Sequence, residues 1–300
     1  MNRAVGVAVF SVLLLSSIPS YSLPFYGTSI SSNGTNNNDG SFLPGTEIFS
    51  NVLGGTASTN LPNETYQDLR NYGLEGNIPV STVVTFGGQA EASSAGLRSR
   101  VFGQQFSEVF TPSPIDVLHS GQAQYHVASQ ARFFDTLSVA GASDLTSIQF
   151  DVNIHGTRQN APFGSFIQVD GSGVLFGSND SIWDGIDDFD IHVDSAVLDI
   201  TGGSIDVSLS LLTSLSFFLG GEGIDNEELG IFREVDFFNT VTINQFRGFN
   251  SLGDLVDLSS VIGSDGQVYD TLRISTVPVP PAAILFASGL LALFGMRKKS

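Results

Sequence analysis

The densest group of potential metal ligands is the acidic stretch NDSIWDGIDDFDIHVD, residues 179–194. Within it, Asp184, Asp187, Asp188 and Asp190 are candidate ligands for Ca²⁺, which takes six to eight oxygen ligands and suits loops rich in Asp and Gly. Their spacing matches neither an EF-hand loop nor a nonapeptide calcium repeat. Two interpretations stay open, a Ca²⁺ site and a solvated acidic loop, and the sequence indicates no other cofactor.

Residue patterns that carry catalysis are scarce. The four histidines, His119, His126, His155 and His192, show neither the i, i+4 spacing of helical metal ligands nor an HExxH frame. The chain has no GxSxG motif, no P-loop and no cysteine. We therefore predict that the protein is not an enzyme. A secreted hydrolase remains an alternative, because the two carboxylates that cleave glycosides are paired in space rather than in sequence.

The charge of the chain is strongly asymmetric. Twelve basic residues face 30 acidic ones, and four of the basic residues (Arg3, Arg297, Lys298, Lys299) lie at the two ends. The body between the ends therefore carries 8 arginines, no lysine and all 30 acids, a formal charge of 8 − 30 = −22. Such a surface repels nucleic acid and anionic membranes, so we predict no nucleic-acid partner.

The first 22 residues are typical of a secretory signal peptide. Arg3 supplies the positive start, and residues 4–15 form an uncharged apolar run that is shorter than the roughly 20 residues needed to span a bilayer. Ser20 and Ser22 place small side chains at the −3 and −1 positions of a signal peptidase site. We predict cleavage between Ser22 and Leu23, with an uncleaved anchor as the alternative.

The last 24 residues predict a membrane helix with a basic end. Residues 282–296 are continuously apolar or small and would form a helix about 22 Å long. Arg297, Lys298 and Lys299 follow at once, and positive residues next to a membrane helix stay on the cytoplasmic side. Before the helix, prolines at 278, 280 and 281 keep the chain extended, since proline cannot donate a backbone hydrogen bond. The acidic body is therefore expected outside the membrane.

The order of these parts resembles the PEP-CTERM sorting signal of Gram-negative bacteria. The tail runs Val277-Pro278-Val279-Pro280, then an apolar helix containing FASGLLALFG, then the basic cluster, as in the variant whose motif is Val-Pro-aliphatic-Pro. The resemblance covers 24 of the 300 residues. Val279 stands where the commonest form of the motif has glutamate, which implies either a different exosortase subclass or weaker recognition.

This resemblance implies a processing route. An exosortase, a membrane-embedded enzyme similar to cysteine proteases, would recognise Pro278, Val279 and Pro280 and remove the tail near them. The basic residues 297–299 would hold the uncleaved end in the cytoplasm. A plain C-terminal anchor without processing is the alternative.

The body is dominated by strand patterns. The segments SIQFDVNIH (147–155), FDIHVD (189–194) and SIDVSLSL (204–211) alternate apolar and polar residues with period two, which indicates antiparallel sheets with one solvated face. We predict an all-β, antiparallel β-sandwich over 61–276, jelly-roll-like in extent, flanked by the signal helix and the transmembrane helix. Residues 23–60 are expected to form a polar low-complexity arm, and LPNETYQDLRNYG (61–73) is expected to form one short helix.

The expected protein is thus an exported bacterial surface or extracellular-matrix component. Signal peptidase and an exosortase would process it through an inner-membrane intermediate. Its expected role is structural or adhesive, with extracellular polysaccharide as a partner. A Ca²⁺-dependent carbohydrate-binding module is a further alternative.

Overall fold

The computed structural model describes residues 23–36, 42–43, 45–72, 78–109, 123–160, 165–178, 186–219 and 232–272. Within these ranges the regular elements are seventeen β-strands, and no helix occurs there. The strands are β1 (Phe25–Asn36), β2 (Phe42–Leu43), β3 (Glu47–Leu53), β4 (Ala57–Tyr72), β5 (Ile78–Ser93), β6 (Gly96–Val109), β7 (Ala123–Gly141), β8 (Leu145–Gln159), β9 (Phe166–Gly171), β10 (Val174–Ser178), β11 (Ile186–Asp194), β12 (Leu198–Asp199), β13 (Ser204–Leu219), β14 (Phe232–Asn250), β15 (Leu255–Val256), β16 (Leu258–Ile262) and β17 (Val268–Tyr269).

The strands form two antiparallel sheets. Sheet A has the order β10-β9-β13-β7-β1-β2, with β3 also paired to β1, β16 paired to β7, and β17 paired to β16. Sheet B has the order β11-β8-β14-β6-β5-β4, with β12 on β8 and β15 on β14. The predicted all-β antiparallel class is confirmed.

Alternation along the strands sets which side chains are buried. In β8, Ile148, Phe150, Val152 and Ile154 are all fully buried, as their period-two spacing predicts. The inward residues of β13 (Ile205, Val207, Leu209 and Leu211) are buried as well, whereas His155 and His192 face solvent.

The two sheets contact each other through these buried faces. β5 of sheet B contacts β7 and β1 of sheet A, and β6 contacts β7 and β13. The rings of Phe86 and Tyr125 lie 5.2 Å apart across this contact. Ser99 donates a hydrogen bond of 2.8 Å to the carbonyl oxygen of Ser129, so these two buried polar groups are paired across the sheets.

The prediction of a loose arm over 23–60 is wrong for the part of it that the structure describes. β1 lies inside sheet A and pairs with β7 along its whole length, and β3 covers its other side. Thr28 and Ser32 occupy inward positions that an apolar residue would normally mark. Ser32 accepts hydrogen bonds from Tyr125 and from the backbone of Thr46, so these small polar side chains are buried without an unpaired group.

The short helix predicted over 61–73 is also wrong. β4 runs through Tyr72 and pairs with β5 from Ala57 to the end, with an irregularity between Leu61 and Glu64. Pairing with a long neighbouring strand outweighs the helical preference of a short segment, because local propensity is worth only tenths of a kcal/mol per residue, roughly.

The signal segment 1–22 and the sorting segment 277–300 lie outside the described residues. Among the residues that are described, no helix has the length and apolar character needed to cross a bilayer.

Candidate functional site

The predicted processing residues are at or beyond the ends of the described chain. Ser22, the proline motif 278–280 and the basic end 297–299 lie outside the described residues, whereas Leu23 is described and exposed. β1 begins two residues after Leu23, at Phe25. The neighbouring Pro24 is already fixed, because its carbonyl oxygen accepts a 2.7 Å hydrogen bond from the amide of Gly54.

The acidic stretch does not form a convergent site in the part that is described. Asp184 lies outside the described residues, and β11 carries the other three candidates. Asp188 and Asp190 face solvent, while Asp187 faces the opposite side of the strand and lies 3.4 Å from the guanidinium of Arg158. Period-two alternation separates Asp187 from the other two. Across the described ranges, His, Asp and Glu side chains do not converge in threes in a geometry that holds a metal ion.

A group of polar and ionisable side chains lies on the outer face of sheet B. We call it the outer charge cluster; its members are Asp151, His192, Asp194, Asn244 and Arg247. Asn244 donates a 2.8 Å hydrogen bond to Asp151, and the Arg247 guanidinium bonds Asp194 and lies 3.8 Å from Asp151. His192 Nδ1 is 3.9 Å from Asp151. The contacts of the cluster therefore join β8, β11 and β14 across the sheet.

A cleft of about 220 Å³ opens between the two sheets. Three segments line it, together with Phe133 and Leu209: residues 93–97 at the β5–β6 turn, 241–244 in β14 and 267–270 around β17. The turn depends on Gly96, whose φ is +138°, and an added Cβ there would lie 2.8 Å from the carbonyl oxygen of Val241. Only glycine takes this conformation at so close an approach without strain.

A polar network lies behind one wall of the cleft. We call it the cleft network; its members are Tyr26, Ser94, Asp135, Ser264, Asp265 and Tyr269. The Tyr26 hydroxyl donates a 3.4 Å hydrogen bond to Asp265 and is also bonded to Ser94. The carboxylate of Asp135 accepts hydrogen bonds from the backbone amide of Ser264, at 3.2 and 3.3 Å, and from its hydroxyl. The network therefore ties the β16–β17 turn to β1, β7 and the β5–β6 turn.

Burial sets the protonation of this network. It raises the pKa of the Tyr26 and Tyr269 hydroxyls well above the ordinary tyrosine value, and the nearby carboxylates of Asp135 and Asp265 raise both further. Burial also raises the pKa of Asp135, against the opposing effect of the hydrogen bonds from Ser264. Both phenols therefore remain protonated donors over the neutral range.

Sequence reasoning missed the cleft network, because its members come from separate segments of the chain. One signal was available. Asp135 stands between Phe133 and Leu137 at an inward position of β7, where an alternating strand normally carries an apolar residue. A lone carboxylate in such a position requires donors from another segment. The residues GSDG, 263–266, supply them.

No protein-family model matches the chain, and no curated protein or solved structure is significantly similar to it. The class that the fold defines is an all-β protein of two antiparallel sheets in contact, with a small mixed-polarity cleft between them.

Proposed function

We propose that the chain is an exported bacterial surface or matrix protein that loses a signal peptide at one end and an exosortase-sorted tail at the other. The observation that carries this proposal is the order of proline motif, apolar segment and basic cluster in residues 277–300. In its finer form the fold is a jelly-roll-like β-sandwich, flanked before processing by a signal helix and a transmembrane helix.

The positions of the strands support two removable ends. Cleavage before Leu23 leaves β1 complete, since that strand starts at Phe25. Removal of the tail from Val277 onward leaves all seventeen described strands in place, since β17 ends at Tyr269 and the last described residue is Leu272. Neither cut removes a residue that pairs in a described sheet, so the described strands keep their pairing after processing.

The role of the processed body is structural or adhesive, within an extracellular polysaccharide matrix. Its formal charge of −22 keeps neighbouring copies apart and disfavours anionic partners. Signal peptidase and the exosortase supply the chemistry of processing, so the proposal assigns no catalytic residue to this chain.

Carbohydrate binding is a second candidate function, and the mixed-polarity cleft favours it. The secreted hydrolase is less well supported. Asp270 is the one carboxylate among the described residues that line the cleft, whereas most glycoside hydrolases place two across the scissile bond.

Fractionation of the producing bacterium tests the sorting proposal. We compare the wild type with the double variant Pro278→Ala/Pro280→Ala and with the matched control Pro281→Ala, which removes a proline just outside the motif. Immunoblots of membrane and supernatant fractions are expected to show the double variant retained in the membrane, and the wild type and the control released. Equal release of all three would contradict recognition of the motif.

A further inference from the structure

The cleft enters the interior of the protein rather than lying on one sheet. Its floor is made of Leu97 and Val241 from sheet B and of Phe133 and Leu209 from sheet A. All four are otherwise core residues with at most 4% of their surface exposed. These four side chains close the inner end of the cleft and leave little apolar surface for a ligand to contact.

The rim of the cleft offers hydrogen-bonding groups but no positive charge. Ser93 supplies a hydroxyl, Gln267 an amide and Asp270 a carboxylate. None of the described residues that line the cleft is Arg, Lys or His. Asp135 and Asp265 add negative charge close behind Tyr269. An anionic ligand is therefore disfavoured, because its charge would meet carboxylates and no cation.

The walls of the cleft are held in place before any ligand binds. The ring of Tyr269 packs edge-on against Phe246, with ring centroids 5.5 Å apart. The amide of Phe246 donates a 2.9 Å hydrogen bond to the carbonyl oxygen of Asp270, and the amide of Gly263 donates a 2.8 Å bond to that of Gln267. A preformed wall lowers the entropic cost of binding, which matters most for a small ligand with few contacts.

Size and chemistry together select the ligand class. The volume of about 220 Å³ is below the range of pockets that enclose drug-sized molecules, so the cleft admits one small ring. A narrow cleft whose rim carries hydroxyl, amide and carboxylate groups and no cation matches a small uncharged ligand with several hydroxyls. We propose that this cleft binds a single uncharged sugar unit of an extracellular polysaccharide. The inference rests on the proposed matrix role and names the ligand for it.

Saturation-transfer NMR on the full-length chain tests the inference, in a detergent without a sugar headgroup. The probes are the methyl glycosides of glucose, galactose and N-acetylglucosamine at millimolar concentration, with methyl glucuronide as the anionic probe. At least one neutral glycoside is expected to receive saturation from the wild type, and methyl glucuronide none.

Three variants locate the binding. Ala95→Trp places a large ring at the exposed rim and is expected to abolish the signal without touching the core. Asp270→Asn removes the charge at the rim but keeps the shape of the side chain. It is expected to weaken binding roughly tenfold, which is the effect of losing one charged hydrogen bond. The matched control Asp199→Asn changes an exposed carboxylate on β12 and is expected to bind like the wild type.

The outcomes are distinct. The sugar site would be overturned if no neutral glycoside gave a signal. Equal signals from the wild type and Ala95→Trp would also overturn it, provided that thermal unfolding shows both proteins to be folded. An exported and trimmed protein that binds no sugar contradicts this inference alone. A sugar-binding chain whose tail is never removed contradicts the sorting proposal alone.

Discussion

Asp151 in the outer charge cluster and Asp135 in the cleft network are almost equally buried, with 8% and 7% of their surfaces exposed, yet they are stabilised differently. Asp151 has the guanidinium of Arg247 within 3.8 Å and an amide donor from Asn244. Asp135 has the hydroxyl and backbone amide of Ser264, and its charged neighbour is another acid, Asp265. The nature of the partner, rather than the extent of burial, thus distinguishes the two regions.

The largest expected effect comes from the aromatic wall of the cleft network. Tyr269→Ala removes the ring that packs against Phe246 and borders the cleft, and we expect a loss of about 2–4 kcal/mol in the free energy of unfolding. Urea denaturation of the full-length chain measures it. Tyr269→Phe is the control, since it keeps the ring and is expected to cost no more than about 1 kcal/mol. A similar loss in both variants would mean that the hydroxyl, not the ring, supports this wall.

A smaller loss is expected in the outer charge cluster. Asp151→Asn keeps an acceptor for Asn244 but removes the negative charge beside Arg247. Since Arg247 still bonds Asp194, we expect a loss of about 1 kcal/mol at neutral pH, measured by urea denaturation at low ionic strength. An Asp151→Asn variant more stable than the wild type would show that the cation does not stabilise this carboxylate.

The matching substitution in the cleft network is expected to have the opposite sign. Asp135→Asn keeps an acceptor for Ser264 and removes a charge that burial disfavours, so at neutral pH the variant should be slightly more stable than the wild type. The contrast with Asp151→Asn is the sharpest test of the comparison. If both substitutions destabilise the protein equally, the two carboxylates are stabilised in the same way after all.

The pH dependence of this difference follows from the raised pKa of Asp135. In the folded state this carboxyl holds its proton to a higher pH than the ordinary value of 3.8, so folding favours the protonated form. Its contribution to stability is fully present below 3.8 and is lost as the pH rises through the folded-state pKa. The advantage of Asp135→Asn over the wild type should therefore grow through that window and then stay constant. Urea midpoints of both chains across the acidic range check this. An advantage that shrinks with rising pH would mean that folding lowers the pKa of Asp135 rather than raising it.

The smallest effect is expected at an exposed acid. Asp190 faces solvent on β11, and Asp190→Asn should change the free energy of unfolding by no more than about 0.5 kcal/mol. Calcium titration of the wild type and the variant adds a second readout. A stabilisation by calcium that Asp190→Asn removes would support the calcium interpretation of residues 179–194.

How much of the fold could be predicted depended on whether inward positions were apolar. In β8 and β13 they are, so the faces of those strands could be assigned from sequence. In β1 the inward residues include Thr28 and Ser32, whose partners Thr59 and Tyr125 belong to other strands. Alternation could not reveal this strand, because its burial depends on hydrogen bonds made across the fold.

The candidate site shows the same limit. The proline motif and basic end are contiguous in sequence and so could be proposed without a structure. The cleft could not, because its floor joins Leu97, Phe133, Leu209 and Val241 from four strands. Period two predicts that each of these is buried, but it carries no information about which of them border an opening.

Intact mass spectrometry of the extracellular protein tests the sorting proposal most directly. The proposal predicts a single species that begins at Leu23 and ends close to residues 277–280, with all described strands retained. An extracellular or surface form that still carries residues 281–300 would contradict removal of the tail and leave a permanent membrane anchor in its place.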